Sequence, residues 1–402
     1  SDWLSQWAER TGVPMSGVRT RRREKQFSPG CNRTKSRLMF FGLAAPGFLL
    51  TVLLSACATI DRLPAVPLAV ASEIKPLDIP YARFYADGDP AVFRALAYET
   101  VAKARAYREK LGIPPEKTPP TAFLAISGGG DDGAYGAGLL IGWTARGDRP
   151  TFAVVTGIST GALSAPFAFL GSDYDDELKQ VYTETSADDI FSKEPLLGII
   201  SGDAITDTTP LKRLIARYVD EAMVRRIAEE YDKGRLLLIA TTNLDQARSI
   251  IWNIGAIAKS TDPRARELII EVLRASASIP GAFPPVMLDV TVDGKRYEEM
   301  HVDGGAMAQV FLYPPSLRLK AIDRARPHHK DIAYIIRNGR LFRPEVSVKR
   351  QTLAIAGQAI STMTAANGVN DLYRIYLTTQ RDGVDYNLAY LEDEFDVAYS
   401  GP

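Results

Sequence analysis

Residues 152–171 read FAVVTGISTGALSAPFAFLG, and this stretch decides the fold. Its first five residues are apolar or β-branched and predict a buried strand. Gly157 and Gly161 then flank Ser159, and the ten residues that follow predict a helix. Glycines on both sides permit a sharp strand-to-helix turn that projects the serine hydroxyl above a sheet, so the pattern predicts a nucleophile elbow. The alternative is a packing turn in which the serine only caps the helix, although capping needs no flanking glycines.

A second unit of the same kind lies upstream. Residues 121–127 (TAFLAIS) predict a buried strand, residues 128–133 (GGGDDG) a glycine-rich turn, and residues 134–146 a helix of small residues. Only glycine lets a backbone approach a ligand closely, and the N–H groups at a helix N-terminus attract negative charge. The turn is therefore suited to hold a phosphate or an oxyanion.

The same glycines also fit the dinucleotide-binding fingerprint, with Gly128, Gly130 and Gly133 at its three glycine positions. That motif needs an acidic residue at the end of the next strand, where it binds a ribose. Asp148 has the required spacing but precedes the strand, and the strand leads to Ser159 instead. A dinucleotide-dependent oxidoreductase is therefore an alternative that rests on the glycine spacing alone.

A serine nucleophile at neutral pH needs a base to take its proton. His328 and His329 lie in a charged stretch that is typical of a surface loop. Asp303 ends a predicted strand, and a carboxylate there accepts the serine proton directly when burial raises its pKa. His301 falls on the same strand face, where it either hydrogen-bonds Asp303 or is a structural histidine.

These motifs resemble those of the patatin-like phospholipases in their order and in the gap of 144 residues between Ser159 and Asp303. The glycine turn, the nucleophile motif and the run Asp303-Gly304-Gly305 are similar to the three motifs of that family. The resemblance covers about residues 120–340. Further stretches that agree with the family are TDTTPLKRLI (206–215), LLLIATTNLDQAR (236–248) and RASASIPGAFPPV (274–286).

The resemblance implies a chemistry for these residues. Ser159 and Asp303 are expected to form a catalytic dyad that works without histidine. The backbone N–H groups of Gly129, Gly130 and Asp131 are expected to form the oxyanion hole. The implied reaction is hydrolysis of a phospholipid or another lipid acyl ester, with no metal and no cofactor. The alternative is a catalytically silent, membrane-tethered binding or scaffold protein of the same fold.

One position departs from the family pattern. Asp132, beside Asp131, stands where the family usually has Arg or Lys. Two carboxylates near a developing oxyanion oppose it electrostatically unless they point away. We favour the interpretation that both lie in the first turn of the following helix, where they complement its dipole. Backbone N–H donors need no basic side chain beside them.

The bulk composition is that of a soluble globular protein, neither disordered nor spanning a membrane many times, with 46% apolar and 24% charged residues. Lys plus Arg and Asp plus Glu both number 48, so no overall charge favours nucleic acid as a partner. Cys31 and Cys57 are too few for a disulfide scaffold or a structural zinc site. Short apolar runs alternate with amphipathic segments, which predicts a three-layer α/β/α domain with a mixed, mainly parallel central sheet.

The first part of the sequence has a different character. Residues 1–37 hold nine Lys or Arg against three acidic residues, 17 uncharged and mostly apolar residues follow, and the run LSAC then ends at Cys57. This order predicts an export signal, and LSAC resembles the lipobox of bacterial lipoproteins, in which the cysteine is lipidated. The alternative is a single N-terminal membrane anchor. Both interpretations predict a protein of the cell envelope that is held at a membrane.

These features predict three segments. Residues 1–57 form the basic region and the signal segment. Residues 58–88 are rich in Pro and Ala and predict a semi-extended tether. Residues 89–402 form the hydrolase domain, which is expected to begin with a helix at 89–111 and to end, after about residue 350, with a long helix and a strand.

Overall fold

The computed structural model describes residues 62–193, 206–322, 331–342 and 345–392. The predicted signal segment and lipidation site Cys57 lie outside the described residues, as do His328 and His329. Within those ranges, no helix is both long enough and apolar enough to cross a membrane.

The centre of the domain is a nine-stranded sheet, and two further short strands pair with each other. The strands are β1 (Arg83–Tyr85), β2 (Ala122–Ile126), β3 (Val154–Gly157), β4 (Ser192–Lys193), β5 (Thr206–Asp207), β6 (Leu236–Asn243), β7 (Arg248–Asn253), β8 (Val286–Val292), β9 (Lys295–Asp303), β10 (Ile332–Arg337) and β11 (Asp385–Tyr390). The order in the sheet is β1-β7-β6-β3-β2-β10-β11, and β9 joins β6 and β8.

Five neighbouring strands of this sheet, β6, β3, β2, β10 and β11, run parallel. The strands β1, β7, β9 and β8 are added in antiparallel pairs. The sheet is therefore mixed and mainly parallel, which confirms the predicted fold class.

Helices cover both faces of the sheet. They are α1 (Pro90–Lys110), α2 (Gly133–Arg146), α3 (Thr160–Leu170), α4 (Asp175–Thr183), α5 (Ala187–Ile190), α6 (Thr209–Tyr218), α7 (Glu221–Asp232), α8 (Ile254–Ala258), α9 (Ala265–Ser276), α10 (Leu319–Ile322) and α11 (Thr352–Asp382). All five residues of β2 are buried, as expected for a central parallel strand. Leu124 and Ile126 belong to the apolar cluster that includes α2, α3 and α9, and Phe123 and Ala125 to the cluster that includes α11.

The predicted tether is wrong for the part of it that the structure describes. Residues 62–88 pack on the domain: Val66 and Ile74 are buried in one apolar cluster with Tyr297 of the β8–β9 hairpin, and β1 pairs with β7. Arg62 also forms an ion pair with Asp245 at 2.8 Å. This packing could not be predicted from the sequence, because the Pro-rich segment packs on the hairpin without a sustained helical or strand period.

The elements predicted at the two ends of the hydrolase domain are present in the structure. The helix expected at 89–111 is α1, and the side chain of Asp89 caps it by accepting the N–H of Ala91 at 2.8 Å. The long helix and strand expected after residue 350 are α11 and β11.

The topology gathers the motifs at one edge of the sheet. Strands β2, β3 and β10 run in the same direction, so their carboxyl ends meet there. The glycine turn follows β2 and the serine turn follows β3. Ligands bind in the crevice outside the carboxyl ends of such strands. We refer to this side of the sheet as the catalytic edge.

Candidate active site

Ser159 lies in a strained turn between β3 and α3. Its φ is +56° and its ψ is −127°, in a region that residues other than glycine rarely adopt. The backbone N–H of Ser159 donates to the hydroxyl of Ser276 at 3.0 Å, and that hydroxyl donates to the carbonyl of Ala240 at 2.7 Å. The end of α9 thus holds the turn in place, and such over-determined strain is common at functional sites.

The two flanking glycines are required by close packing. A Cβ at Gly157 would come within 2.5 Å of the carbonyl oxygen of Gly161. A Cβ at Gly161 would collide with the carbonyl oxygen of Ile126, at the end of β2. The elbow therefore lies directly against the neighbouring strand, and the predicted strand, turn and helix are all present.

Asp303 lies beside this turn because β3 and β9 both pair with β6. On β6, Ile239 pairs with Gly157 of β3, and two residues further along Thr241 pairs with Asp303 of β9. Since β9 is antiparallel to β6 and β3 is parallel to it, the two strands end facing each other. The carboxylate of Asp303 accepts the backbone N–H of Gly305 at 2.6 Å.

Asp303 is buried, and burial raises the pKa of its carboxyl group to about 6. Hydrogen bonds from the side chain of Ser159 and the backbone of Gly305 act in the opposite direction, because they favour the charged form. At pH 7 a carboxyl group with this pKa is about nine-tenths ionised. It is thus a carboxylate that still has appreciable affinity for a proton, as a general base requires.

The glycine turn passes over the serine. Its first residue, Gly128, donates its N–H to the carbonyl of Gln309 at 3.0 Å, and a Cβ at that position would lie 3.1 Å from the Cβ of Ser159. Gly130 has a φ of +58°, which glycine adopts without strain. In the described part of the chain, no acceptor is hydrogen-bonded to the N–H groups of Gly129 or Gly130.

Asn338, which the sequence analysis missed, anchors the turn. Its side-chain amide donates to the carbonyl of Ser127 at 2.8 Å, and its backbone N–H donates to the hydroxyl of Ser127 at 2.8 Å. The side-chain oxygen of Asn338 accepts the N–H of Gly136 in α2 at 3.1 Å. Gly129 has no room for a side chain because a Cβ there would collide with the carbonyl oxygen of Asn338.

Gln309 is a second residue that the sequence analysis missed. Besides accepting the N–H of Gly128, it donates from its side chain to the carbonyl of Gly305 at 3.0 Å. Its own N–H donates to the carboxylate of Asp371 in α11 at 2.6 Å. Gln309 therefore connects the glycine turn, the turn after Asp303 and the long helix.

Asp131 and Asp132 belong to a 3-10 turn, Gly130–Asp132, that leads directly into α2 at Gly133. Both residues are exposed. Their position at the start of the helix is the one that our favoured interpretation requires, since acidic groups there complement the helix dipole.

His301 does not contact Asp303, so the hypothesis that it hydrogen-bonds this carboxylate is wrong. Its Nδ1 lies 2.9 Å from the hydroxyl of Thr241, and its Nε2 lies 3.3 Å from Glu299. The carboxylate of Glu299 can only accept, so Nε2 donates to it, and the Nδ1 of the neutral ring accepts from the Thr241 hydroxyl, which itself accepts the indole N–H of Trp252. The proton of His301 is therefore on Nε2, where it faces Glu299.

This histidine belongs to a buried structural network. Burial lowers the pKa of His301, and the ring is neutral at pH 7. Glu299 is also paired with the guanidinium group of Arg83, at 2.5 and 3.1 Å. Burial alone would raise the pKa of Glu299, but the hydrogen bond from His301 and the charge of Arg83 prevail and lower it to about 2.

Among the cavities in the described part of the chain, two adjoin the sheet. The smaller, of about 250 Å³, is lined by Ile158, Ala240 and Met307 and lies beside the elbow. The larger, of about 550 Å³, is lined by Ala122 and Leu236 at the amino ends of β2 and β6, which is the edge opposite Ser159. The smaller cavity is therefore the one close to the serine.

Two comparisons with known proteins found a similarity. Residues 124–314 match the family model described as patatin-like phospholipase. Among solved structures, the chain is similar to VipD from Legionella pneumophila, with 15% identity and a TM-score of 0.34 over 60% of this chain. The similar region spans 53% of the VipD chain. No curated protein sequence matches the chain. The segment that matches the patatin-like phospholipase model thus includes both Ser159 and Asp303.

Proposed function

We propose that this protein is a serine acyl-ester hydrolase of the phospholipase A type, with Ser159 as nucleophile and Asp303 as base. One observation carries the proposal: Ser159 lies on a strained elbow, and its side chain is close enough to the buried carboxylate of Asp303 to lower a pKa that burial raises to about 6. Nucleophile and base are thus paired, as covalent catalysis requires.

The proposed reaction has two halves. Asp303 accepts the hydroxyl proton while Oγ of Ser159 bonds to the ester carbonyl carbon. Asp303 then gives this proton to the alcohol that leaves, and an acyl-serine ester is formed. A water molecule next gives a proton to Asp303 and attacks the acyl carbon. The fatty acid is released as the proton returns to Ser159, and the enzyme is regenerated.

The proposed oxyanion hole is the glycine turn. The backbone N–H groups of Gly129, Gly130 and Asp131 are the donors to the carbonyl oxygen as it becomes negative. Gly128 contacts Ser159 and Asn338 fixes the turn, so the donors are held before the reaction begins. Preorganised donors of this kind supply about 3–4 kcal/mol each in serine hydrolases.

The proposed substrate is a phospholipid or another lipid acyl ester, as the family suggests. The cavity of about 250 Å³ beside Ile158 is the proposed site of the acyl chain, because its lining is largely apolar and it adjoins the elbow.

The test is ester hydrolysis by the full chain in detergent, with a short-chain p-nitrophenyl ester and a panel of phospholipids. We expect Ser159→Ala and Asp303→Asn each to lower kcat by about a thousandfold or more while the circular dichroism spectrum is unchanged. Matched controls at exposed positions, Ser172→Ala and Asp148→Asn, should keep full activity. A folded Ser159→Ala variant that hydrolyses the ester would refute the nucleophile.

The same material separates the silent scaffold from the enzyme. A fluorophosphonate probe forms a covalent bond only with an activated serine. Labelling of the native chain but not of Ser159→Ala supports the hydrolase. A native chain that neither reacts with the probe nor hydrolyses any ester favours the scaffold.

We propose further that Cys57 carries lipid and holds the protein in the cell envelope, as the run LSAC predicts. In cells fed a labelled fatty acid, the native chain should incorporate the label and fractionate with membranes. Cys57→Ser should lose the label. Membrane association that persists in Cys57→Ser, with no label in either form, would favour a single N-terminal anchor instead.

A further inference from the structure

The long helix α11 extends past the catalytic edge of the sheet. It ends at Asp382, and β11 then starts at Asp385 beside the first residue of β10, so the helix runs antiparallel to β10. Near its middle, Gly368 lies against the guanidinium group of Arg337, the last residue of β10, where a Cβ would come within 2.9 Å. Gly368 therefore marks the level of the catalytic edge.

Sixteen residues of α11, 352–367, precede this level, and we call them the arm. At 1.5 Å per residue they correspond to about 24 Å of helix beyond the catalytic edge. None of the arm's described side chains is buried, whereas Leu372 and Ile375 in the second half pack on the sheet. The arm thus projects beyond the catalytic edge, where Ser159 also lies.

The arm is apolar and uncharged. Residues 351–370 contain no Asp, Glu, Lys, Arg or His. Ile355, Ile360 and Met363 are exposed by 53%, 59% and 64%. At 100° per residue these three side chains spread over an arc of about 140°. A single coiled-coil partner needs a narrower seam than this, whereas a lipid surface accommodates a broad apolar face.

Exposed apolar side chains also follow elements that end at the catalytic edge, and we call Ile279, Met307 and Phe342 the rim. Ile279 follows Ser278, whose carbonyl accepts the N–H of Asp303 at 2.8 Å. Met307 lies in the turn after Asp303 and is 45% exposed. Phe342 follows β10 by five residues and is 75% exposed. The rim therefore comes from three separate segments that meet at the catalytic edge.

The segment that connects β10 to the arm is cationic. Residues 339–351 contain four basic residues and one acidic residue, in a chain that is neutral overall. Lys349 and Arg350, which directly precede the helix, are both exposed. Basic residues beside an apolar helix favour a surface of anionic lipid headgroups.

We propose that the arm and the rim form one docking surface for an anionic lipid bilayer, in which the arm lies in the headgroup region rather than across the membrane. Docking through this surface turns the mouth of the site toward the lipid. The consequence for catalysis rests on the proposed function, whereas the docking itself does not.

The experiment reads docking at the arm itself, because the apolar segment near residue 45 can also bind vesicles. The full chain carries Cys31→Ser, Cys57→Ser and Ser159→Ala, and a nitrobenzoxadiazole dye is attached at Met363→Cys. The matched control carries the dye at Glu116→Cys, which is exposed at the opposite edge of the sheet. Vesicles are phosphatidylcholine with or without phosphatidylglycerol.

We expect the dye at 363 to shift to the blue and to become protected from an aqueous quencher on anionic vesicles, and the dye at 116 to do neither. A dye at 363 that stays in water on vesicles would overturn the proposal. A blue shift without vesicles that grows with protein concentration, together with a doubled mass in sedimentation, would also overturn it and would assign the arm to a second copy of the chain.

Activity gives a second readout. The triple variant Ile355→Ser, Ile360→Ser and Met363→Ser should hydrolyse a soluble ester at the native rate and vesicle lipid at least about tenfold more slowly. An equal loss on both substrates would count against docking. If the native chain hydrolyses neither substrate, the proposed function fails, while the dye still reports whether the arm meets lipid.

Discussion

Titration of Asp303 gives the sharpest test of the proposed base. Its pKa is raised to about 6, compared with an ordinary value near 3.8. Only the carboxylate accepts a proton from Ser159, so kcat/KM should fall as the pH decreases through 6. At pH 5 about one-tenth of the enzyme has ionised Asp303, and kcat/KM should be about tenfold below its value at pH 7 to 8. An unperturbed aspartate would leave the rate flat to about pH 4.5.

The assay is hydrolysis of p-nitrophenyl butyrate between pH 4.5 and 8 at constant ionic strength. The substrate does not titrate in this range, and circular dichroism checks that the fold persists. A profile that is flat down to pH 4.5 would refute the raised pKa of Asp303 as the source of catalysis.

The same shift has a consequence for stability. A carboxyl group whose pKa is higher in the folded than in the unfolded chain stabilises the fold below pH 4, and this contribution is lost as the pH rises through about 6. The difference of about two pKa units corresponds to about 3 kcal/mol in the free energy of unfolding. Asp303→Asn removes this penalty, so at pH 7 it should be at least as stable as the native chain in urea unfolding. A marked loss of stability would show that the carboxylate has another structural role.

Three further substitutions test the framework. Gly161→Ala forces a Cβ onto the last carbonyl of β2 and should cost about 2–3 kcal/mol and most of the activity. The control Gly138→Ala meets open space inside α2 and should raise the stability in urea unfolding by about 0.5–1 kcal/mol, with the activity unchanged. Asn338→Ala loosens the glycine turn and should lower kcat about tenfold to hundredfold with little change in KM; a raised KM alone would contradict its positioning role. Arg83→Met leaves Glu299 buried without its cation and should cost about 3–5 kcal/mol, and a loss below 1 kcal/mol would contradict the pairing.

The elbow could be predicted from the sequence because its cause is local. Gly157, Ser159 and Gly161 lie within five residues, and each glycine is required by the backbone next to it. The contact of Ser159 with Asp303, in contrast, depends on the pairing of both β3 and β9 with β6. The residues alone offered Asp303 as one candidate base, and the family resemblance favoured it. The sequence alone left the base open between aspartate and histidine.

Asn338 and Gln309 could not be found in this way. Asn338 bonds to Ser127 across 211 residues, and this contact exists only because β10 lies beside β2 in the sheet. The signal was an Asn-Gly pair after an apolar strand, which is typical of any turn. The prediction of a tether was wrong for a related reason, since Val66 and Ile74 have their partners in a hairpin more than two hundred residues away.

The length of β6 explains how a carboxylate is placed where the proposed reaction needs a base. β6 continues past its pairing with β3, and β9 occupies the remaining length, so Asp303 is brought to Ser159 by the backbone itself. The short side chain of Asp303 is therefore long enough to reach Ser159, and the greater reach of an imidazole ring is not needed. Burial in the same place raises the pKa of Asp303 to about 6, close to that of a free imidazole. His301, although two residues away, faces Glu299 and Thr241, and its neutral ring stabilises the network that supports β9.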